Sequence, residues 1–117
     1  MNILLIDDHQ DLTDIMKKLL EKSGYDVTTA NRCALGVQLL HSQNFDVVIT
    51  NIGLSDCEEH CVIDLLEKTG KIKDTYVMVL SEKLTHNEMS ALKKRGVMAC
   101  YEKPVSPDVI LLTLASL

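Results

Sequence analysis

Five polar residues stand directly behind apolar runs in this sequence. Asp7 and Asp8 follow Ile3-Leu4-Leu5-Ile6, Asn51 follows Val47-Val48-Ile49-Thr50, Ser81 follows Tyr76-Val77-Met78-Val79-Leu80, and Lys103 follows a weaker run that ends at Glu102. Adjacent carboxylates repel each other, and a hard divalent cation between them relieves the repulsion. An ammonium and a hydroxyl on neighbouring strands suit a tetrahedral oxyanion bound to that cation. Asp7 and Asp8 alone could equally cap a helix. Five such residues at four strand ends point instead to a site for phosphate and Mg²⁺.

The elements that must position these residues follow from the pattern of apolar side chains. Ile3–Ile6, Asp46–Thr50 and Tyr76–Leu80 are continuous runs of strand length, as expected where both faces of a parallel sheet are covered. Tyr25–Ala30 and Val97–Glu102 are less apolar and read as edge strands. Leu12, Ile15, Met16, Leu19 and Leu20 form a helical stripe closed by Gly24. Asn31 is placed to cap a second helix reaching about His41, and Ser55 or Asp56 to cap a third that carries Val62, Ile63, Leu65 and Leu66. Thr85-His86-Asn87-Glu88 has capping-box spacing with Gly96 as the stop, and Ser106-Pro107 opens a fifth helix.

Strand and helix thus alternate five times, which requires a parallel sheet with right-handed crossovers. With the three apolar strands central, the order is 2-1-3-4-5. The expected architecture is α/β, a flavodoxin-like (βα)5 three-layer sandwich forming one domain over residues 1–117. Ligands in such sheets bind at the carboxyl ends of the strands, between strands one and three.

Composition narrows the function. A chain of 117 residues carries one core, and 12 basic against 17 acidic residues give a net charge of −5, which offers no basic patch for nucleic acid. At 46% hydrophobic the chain is expected to fold. No apolar run approaches the ~18 residues of a membrane span, and no secretory signal opens the chain, so a soluble cytoplasmic protein is expected. Reduced thiols are therefore expected at Cys33, Cys57, Cys61 and Cys100. Cys57, His60 and Cys61 lie close in sequence, but without a CxxC or HxxxH pair they read as interface packing rather than a zinc site. His9, His41, His60 and His86 read as surface histidines outside any phosphoryl chemistry.

Taken together, Leu5-Ile6-Asp7-Asp8-His9, Asp46-Val47-Val48-Ile49-Thr50-Asn51-Ile52-Gly53-Leu54, Val79-Leu80-Ser81 and Glu102-Lys103-Pro104, in register with Gly96, resemble a response-regulator receiver domain over the whole chain. The resemblance implies a signalling switch in a two-component phosphorelay rather than an enzyme in its own right, one that takes a phosphoryl group from a histidine kinase or phosphotransfer protein with Mg²⁺. By position it makes Asp7, Asp8, residue 51 and the Gly53 carbonyl the metal ligands. It makes Ser81 the hydroxyl that follows the phosphoryl group and Lys103 its ion-pairing partner, with a cis Lys103–Pro104 bond.

The departures from the family are equally specific. The phosphoacceptor position holds Asn51, whose amide is no nucleophile, so phosphorylation is not expected and Mg²⁺ binding should weaken. Ser55 replaces a usual proline, Glu82 a small residue, and Cys100 the switch aromatic, while Tyr101 falls one residue late and on the opposite strand face. A natural pseudo-receiver and an aspartate replaced to lock the unphosphorylated state both fit. The runner-up is a small Mg²⁺-dependent phosphohydrolase or nucleotide-binding protein of similar fold, although a haloacid-dehalogenase-like enzyme needs Asp-x-Asp.

A partner surface is expected on the fourth helix, fifth strand and fifth helix. Ile110, Leu111, Leu114 and Leu117 should face the sheet, whereas Val109 and Leu112 fall among polar positions. With Met89 and Tyr101 they would form an apolar patch for dimerisation or for an output domain.

Overall fold

The computed structural model describes residues 1–58 and 60–117. Its elements run β1 (Asn2–Ile6), α1 (Gln10–Lys22), β2 (Asp26–Ala30), α2 (Cys33–Ser42), β3 (Val47–Asn51), α3 (Cys61–Lys68), a 3-10 turn at Lys71–Lys73, β4 (Tyr76–Ser81), α4 (His86–Lys94), β5 (Ala99–Glu102) and α5 (Pro107–Ala115). All strand pairs are parallel and the order is β2-β1-β3-β4-β5. This is the flavodoxin-like sandwich expected from the alternation. Strand ends differ from the expectation by a residue or two, so that Asn51 and Ser81 close their strands instead of following them.

The period of two along each strand divides the core into two layers. Leu4, Ile6, Val48, Val77 and Val79 pack with Leu40, Ile63, Leu66 and Leu92 under α2, α3 and α4. Ile3, Leu5, Val47, Ile49, Met78 and Leu80 pack with Met16, Leu20, Ile110 and Leu114 under α1 and α5. Cys100 joins the first layer and Tyr101 the second, so Tyr101 leaves β5 on the face away from the helices α2–α4, as its position implied.

Several helix termini depart from the sequence reading. Thr85 and Ser106 do cap α4 and α5, accepting from the backbone N–H groups of Glu88 and Asp108. Asn31 does not cap α2, whose N-cap is Arg32, and neither Ser55 nor Asp56 caps α3, whose N-cap is His60. Asp56 reaches instead to α2, accepting from Cys33 N at 2.9 Å and Ala34 N at 3.0 Å. A cap supplied from across the chain left no local signal, which is why spacing assigned it to the wrong helix.

The α1 stripe is also corrected. The sheet covers Thr13, Met16 and Leu20, while Leu12, Ile15 and Leu19 remain exposed. Thr13 is tolerated inside because its hydroxyl donates to the His9 carbonyl at 2.9 Å, which satisfies the polar atom locally. In α5, Ile110 and Leu114 are buried and Leu111 partly so, but Leu117 lies beyond the helix and is exposed.

Reduced thiols were expected throughout, yet Cys33 and Cys57 are paired as a disulfide with Cα atoms 6.1 Å apart, inside the range such a bond requires. Cys61 and Cys100 are free. Among the described residues, no helix is long and apolar enough to cross a membrane.

Candidate functional site

The carboxyl ends of the central strands are held level by backbone bonds that continue past the sheet. Asp7 N donates to Ala30 O at 3.0 Å, Ile52 N to Leu80 O at 2.8 Å, and Lys103 N to Ser81 O at 2.7 Å. Since Ile6 pairs with Thr50, the next step in register sets Asp7 beside Asn51. The ladder thus places Asp7, Asn51, Ser81 and Lys103 along one edge of the fold.

Asp7 is the hub. Its side chain is only 6% exposed, and both oxygens are engaged: Oδ2 accepts from Lys103 Nζ at 2.9 Å, and Oδ1 accepts from His9 N at 3.0 Å and contacts His9 Nδ1 at 2.9 Å. Burial pushes the Asp7 carboxyl up, but the bond from Lys103, the two from His9 and the lysine charge outweigh it and hold the group below the ordinary aspartate value. Asp8 is more open, and its Oδ1 lies 3.2 Å from His9 Nδ1. The ligand atoms of Asp7, Asp8 and His9 all lie within 4.8 Å of one another.

Asn51 is 5% exposed, and its Oδ1 is a buried oxygen with no hydrogen-bond partner. Such an atom normally costs about 1–3 kcal/mol, so an unpaired carbonyl oxygen here marks a position shaped for a donor or cation. Lys103, 8% exposed on its side chain, is bonded to Asp7. Ser81 is buried and turned back into its own loop, donating to Lys83 O at 3.1 Å. Gly53 lies outside the strand with φ +88°, a conformation that L side chains rarely adopt. The Lys103–Pro104 bond is cis.

Carboxylate, amide and main-chain oxygens are the ligands hard cations prefer, so Asp7, Asp8, Asn51 and the Gly53 carbonyl fit Mg²⁺ in kind. Asp7 Oδ2 accepts from Lys103 alone and keeps a second lone pair that an ion could take.

His9 is exposed, as its position implied, and its ring also reaches the acid pair, with Nδ1 2.9 Å from Asp7 Oδ1 and 3.2 Å from Asp8 Oδ1 and Nε2 4.0 Å from Glu82 Oε1. Those contacts went unread in the sequence, where adjacency to the acid pair was the available signal.

The expected partner patch is not assembled as a unit. Met89 is partly buried in the α2–α4 layer, and Tyr101 packs in the α1/α5 layer with its hydroxyl against Thr113. Val109 and Leu112 are exposed, Leu112 to 72%. Exposed Leu12 and Ile15 add an apolar rim beside the site, over a cavity of about 150 Å³ that also touches Asp7, Lys103 and Pro104.

Comparison with known proteins bears on this site. The family model for the response regulator receiver domain matches residues 3–115. The sensory/regulatory protein RpfC of Xanthomonas campestris pv. campestris is 28% identical over 120 residues, covering all of this chain and 16% of that protein. The response regulator SaeR of Staphylococcus aureus is 26% identical over 116 residues, covering 99% of this chain and 50% of SaeR. The chain thus spans half or less of these curated relatives. The crystal structure of the signal receiver domain of a LuxO repressor protein from Vibrio parahaemolyticus superposes with a TM-score of 0.90 at 19% identity, covering 98% of this chain and 87% of that one. At that identity the likeness speaks for the fold.

Proposed function

The chain belongs to the response regulator receiver domain family, and from that premise we propose that it is a receiver whose site binds but does not react. It is a module of two-component signalling rather than an enzyme of the ordinary kind. The observation that carries the reading is the buried, unpartnered Oδ1 of Asn51 at the end of β3, beside a lysine committed to Asp7.

A carboxylate at residue 51 would attack phosphorus and carry the phosphoryl group. The Asn51 amide has no free lone pair on nitrogen and no full charge on oxygen, so it does neither. Asp7, Asp8, Asn51 Oδ1 and the Gly53 carbonyl would hold Mg²⁺, which when bound would neutralise charge on an incoming oxyanion. With residue 51 neutral, Lys103 pairs with Asp7 and Ser81 closes on its own loop. Both would be available to a phosphoryl group only if one were attached. The chain signals in this reading by the partner it binds, in one fixed state.

The partner class is a histidine kinase or phosphotransfer protein in the cytoplasm. The apolar rim of Leu12 and Ile15 beside the site offers such a partner a footing. Val109 and Leu112, both exposed on α5, are proposed to meet an output domain or a second copy.

Acetyl phosphate with Mg²⁺, followed by intact mass, tests the proposal. The present sequence should gain no phosphoryl group, and Asn51→Asp should gain one at residue 51. Calorimetric titration should also find tighter Mg²⁺ binding in Asn51→Asp. An acyl phosphate on the present chain, an unlabelled Asn51→Asp, or equal Mg²⁺ affinity in the two forms would each sink it.

A further inference from the structure

Three of the four cysteines converge where the loop after β3 meets the start of α2. Cys33 is the first residue of α2 and is buried, Cys57 lies half-buried in the loop, and Cys61 opens α3. Their sulfur atoms all lie within 4.8 Å of one another, and Cys33 and Cys57 are bonded. None of them is used by the phosphoryl site.

We propose that Cys33 and Cys57 form a reversible dithiol–disulfide site, through which a peroxide-class oxidant ties the loop after β3 to α2. The inference stands independently of whether residue 51 takes a phosphoryl group.

The geometry favours reversibility because the two thiols are held together without their bond. Asp56, adjacent to Cys57, accepts from Cys33 N and Ala34 N, so the loop stays docked on α2 when the sulfurs are reduced. Exposure orders the steps. Cys57 meets solvent and Cys33 does not. The Cys57 sulfur attacks one oxygen of hydrogen peroxide, the O–O bond breaks, and the second oxygen leaves as water, giving a sulfenic acid. The Cys33 sulfur then attacks the Cys57 sulfur, the S–O bond breaks, and hydroxide leaves as water with the Cys33 proton. Two electrons pass from the two thiols to the peroxide, whose oxygens both end as water.

Cys61 is the third sulfur and stays unpaired. Burial raises its thiol, and Asp64, Glu58 and Asp56 raise it further, which disfavours its thiolate. The consequence of oxidation falls on the loop that carries Gly53, since a covalent tether then joins the α2 clamp already made by Asp56.

The test adds hydrogen peroxide to the reduced protein, alkylates the remaining thiols and maps peptides without reduction. The expected result is loss of two hydrogens, one Cys33–Cys57 linked pair, alkylated Cys61 and Cys100, and full reversal by dithiothreitol. Cys61→Ser should keep the link, and both Cys57→Ser and Cys33→Ala should lose it. A Cys57–Cys61 link, an intermolecular link, or four alkylated thiols would overturn the site. So would zinc that shields Cys33, Cys57 and Cys61 together from alkylation. Hydrogen exchange reads the coupling: amides of Gly53 and Leu54 should slow on oxidation of the wild type and not of Cys57→Ser. Unchanged exchange there in the oxidised wild type would overturn the link to the loop.

Discussion

At the scale of single residues, Asp7 is the most heavily bonded group of the site. Its two oxygens receive three protein contacts, from Lys103 and from the backbone and ring of His9. A buried ion pair broken from one side leaves an uncompensated charge, which typically costs on the order of 3–5 kcal/mol. Lys103→Met should therefore lower stability toward the lower end of that range, because His9 still contacts the carboxylate. The same change frees Oδ2, so Mg²⁺ should bind more tightly and recover part of the lost stability. Thermal melts with and without Mg²⁺ check both effects. If Mg²⁺ protects Lys103→Met no better than the wild type, the lysine does not compete with the ion.

At the scale of elements, helix α2 depends on a neighbour at each end of its buried face. Its first N–H groups are capped by Asp56, whose carboxyl is held below the ordinary aspartate value chiefly by the bonds from Ala34 N and Cys33 N. The unfolded chain binds this proton more readily than the folded one. The stabilisation is therefore complete above the ordinary aspartate range and is lost as pH falls through the lowered folded value. Asp56→Asn should flatten the acid limb of the urea midpoint against pH, and an unchanged limb would exclude Asp56 as its source. Further along α2, Gly36 packs on β1, where an added Cβ would sit 2.6 Å from Ile6 Cδ1. Alanine gains about 1 kcal/mol of helix propensity, but crowding a packed core costs about 1–3 kcal/mol. Gly36→Ala should be net destabilising by roughly 1 kcal/mol in denaturant melts.

At the scale of the molecule, the two layers of core leave α1 and α5 side by side on one face of the sheet, each with apolar residues turned outward. Leu112, 72% exposed, makes no contribution to the core, so Leu112→Lys should leave the melting temperature unchanged. If α5 meets a second copy or an output domain, the same change should weaken self-association in sedimentation or reduce partner binding. A monomer at high concentration with binding unaffected by Leu112→Lys would remove the α5 surface from consideration. Arg95, at the end of α4, bonds to Asp64 and Glu67 of α3 and joins the helices on the opposite face.

The sheet and the line of site residues were legible in the sequence because both rest on local patterns. Short runs apolar on both faces, such as Ile3–Ile6, alternating with helical stripes fit central parallel strands, and polar residues behind them then fall at one edge. That residue 51 is an uncharged amide was equally local. What the tertiary structure alone decided is every partnership between residues distant in the chain. Lys103 turns to Asp7, 96 residues away, in the pocket where residue 51 carries no charge. Asp56 caps α2 rather than α3, 22 and 23 residues back, and Cys33 bonds to Cys57 across 24 residues. Periodicity fixes which face a side chain takes within its own element. Which foreign donor, acceptor or sulfur it then meets is set by how crossovers stack the elements, and no spacing along the chain encodes that.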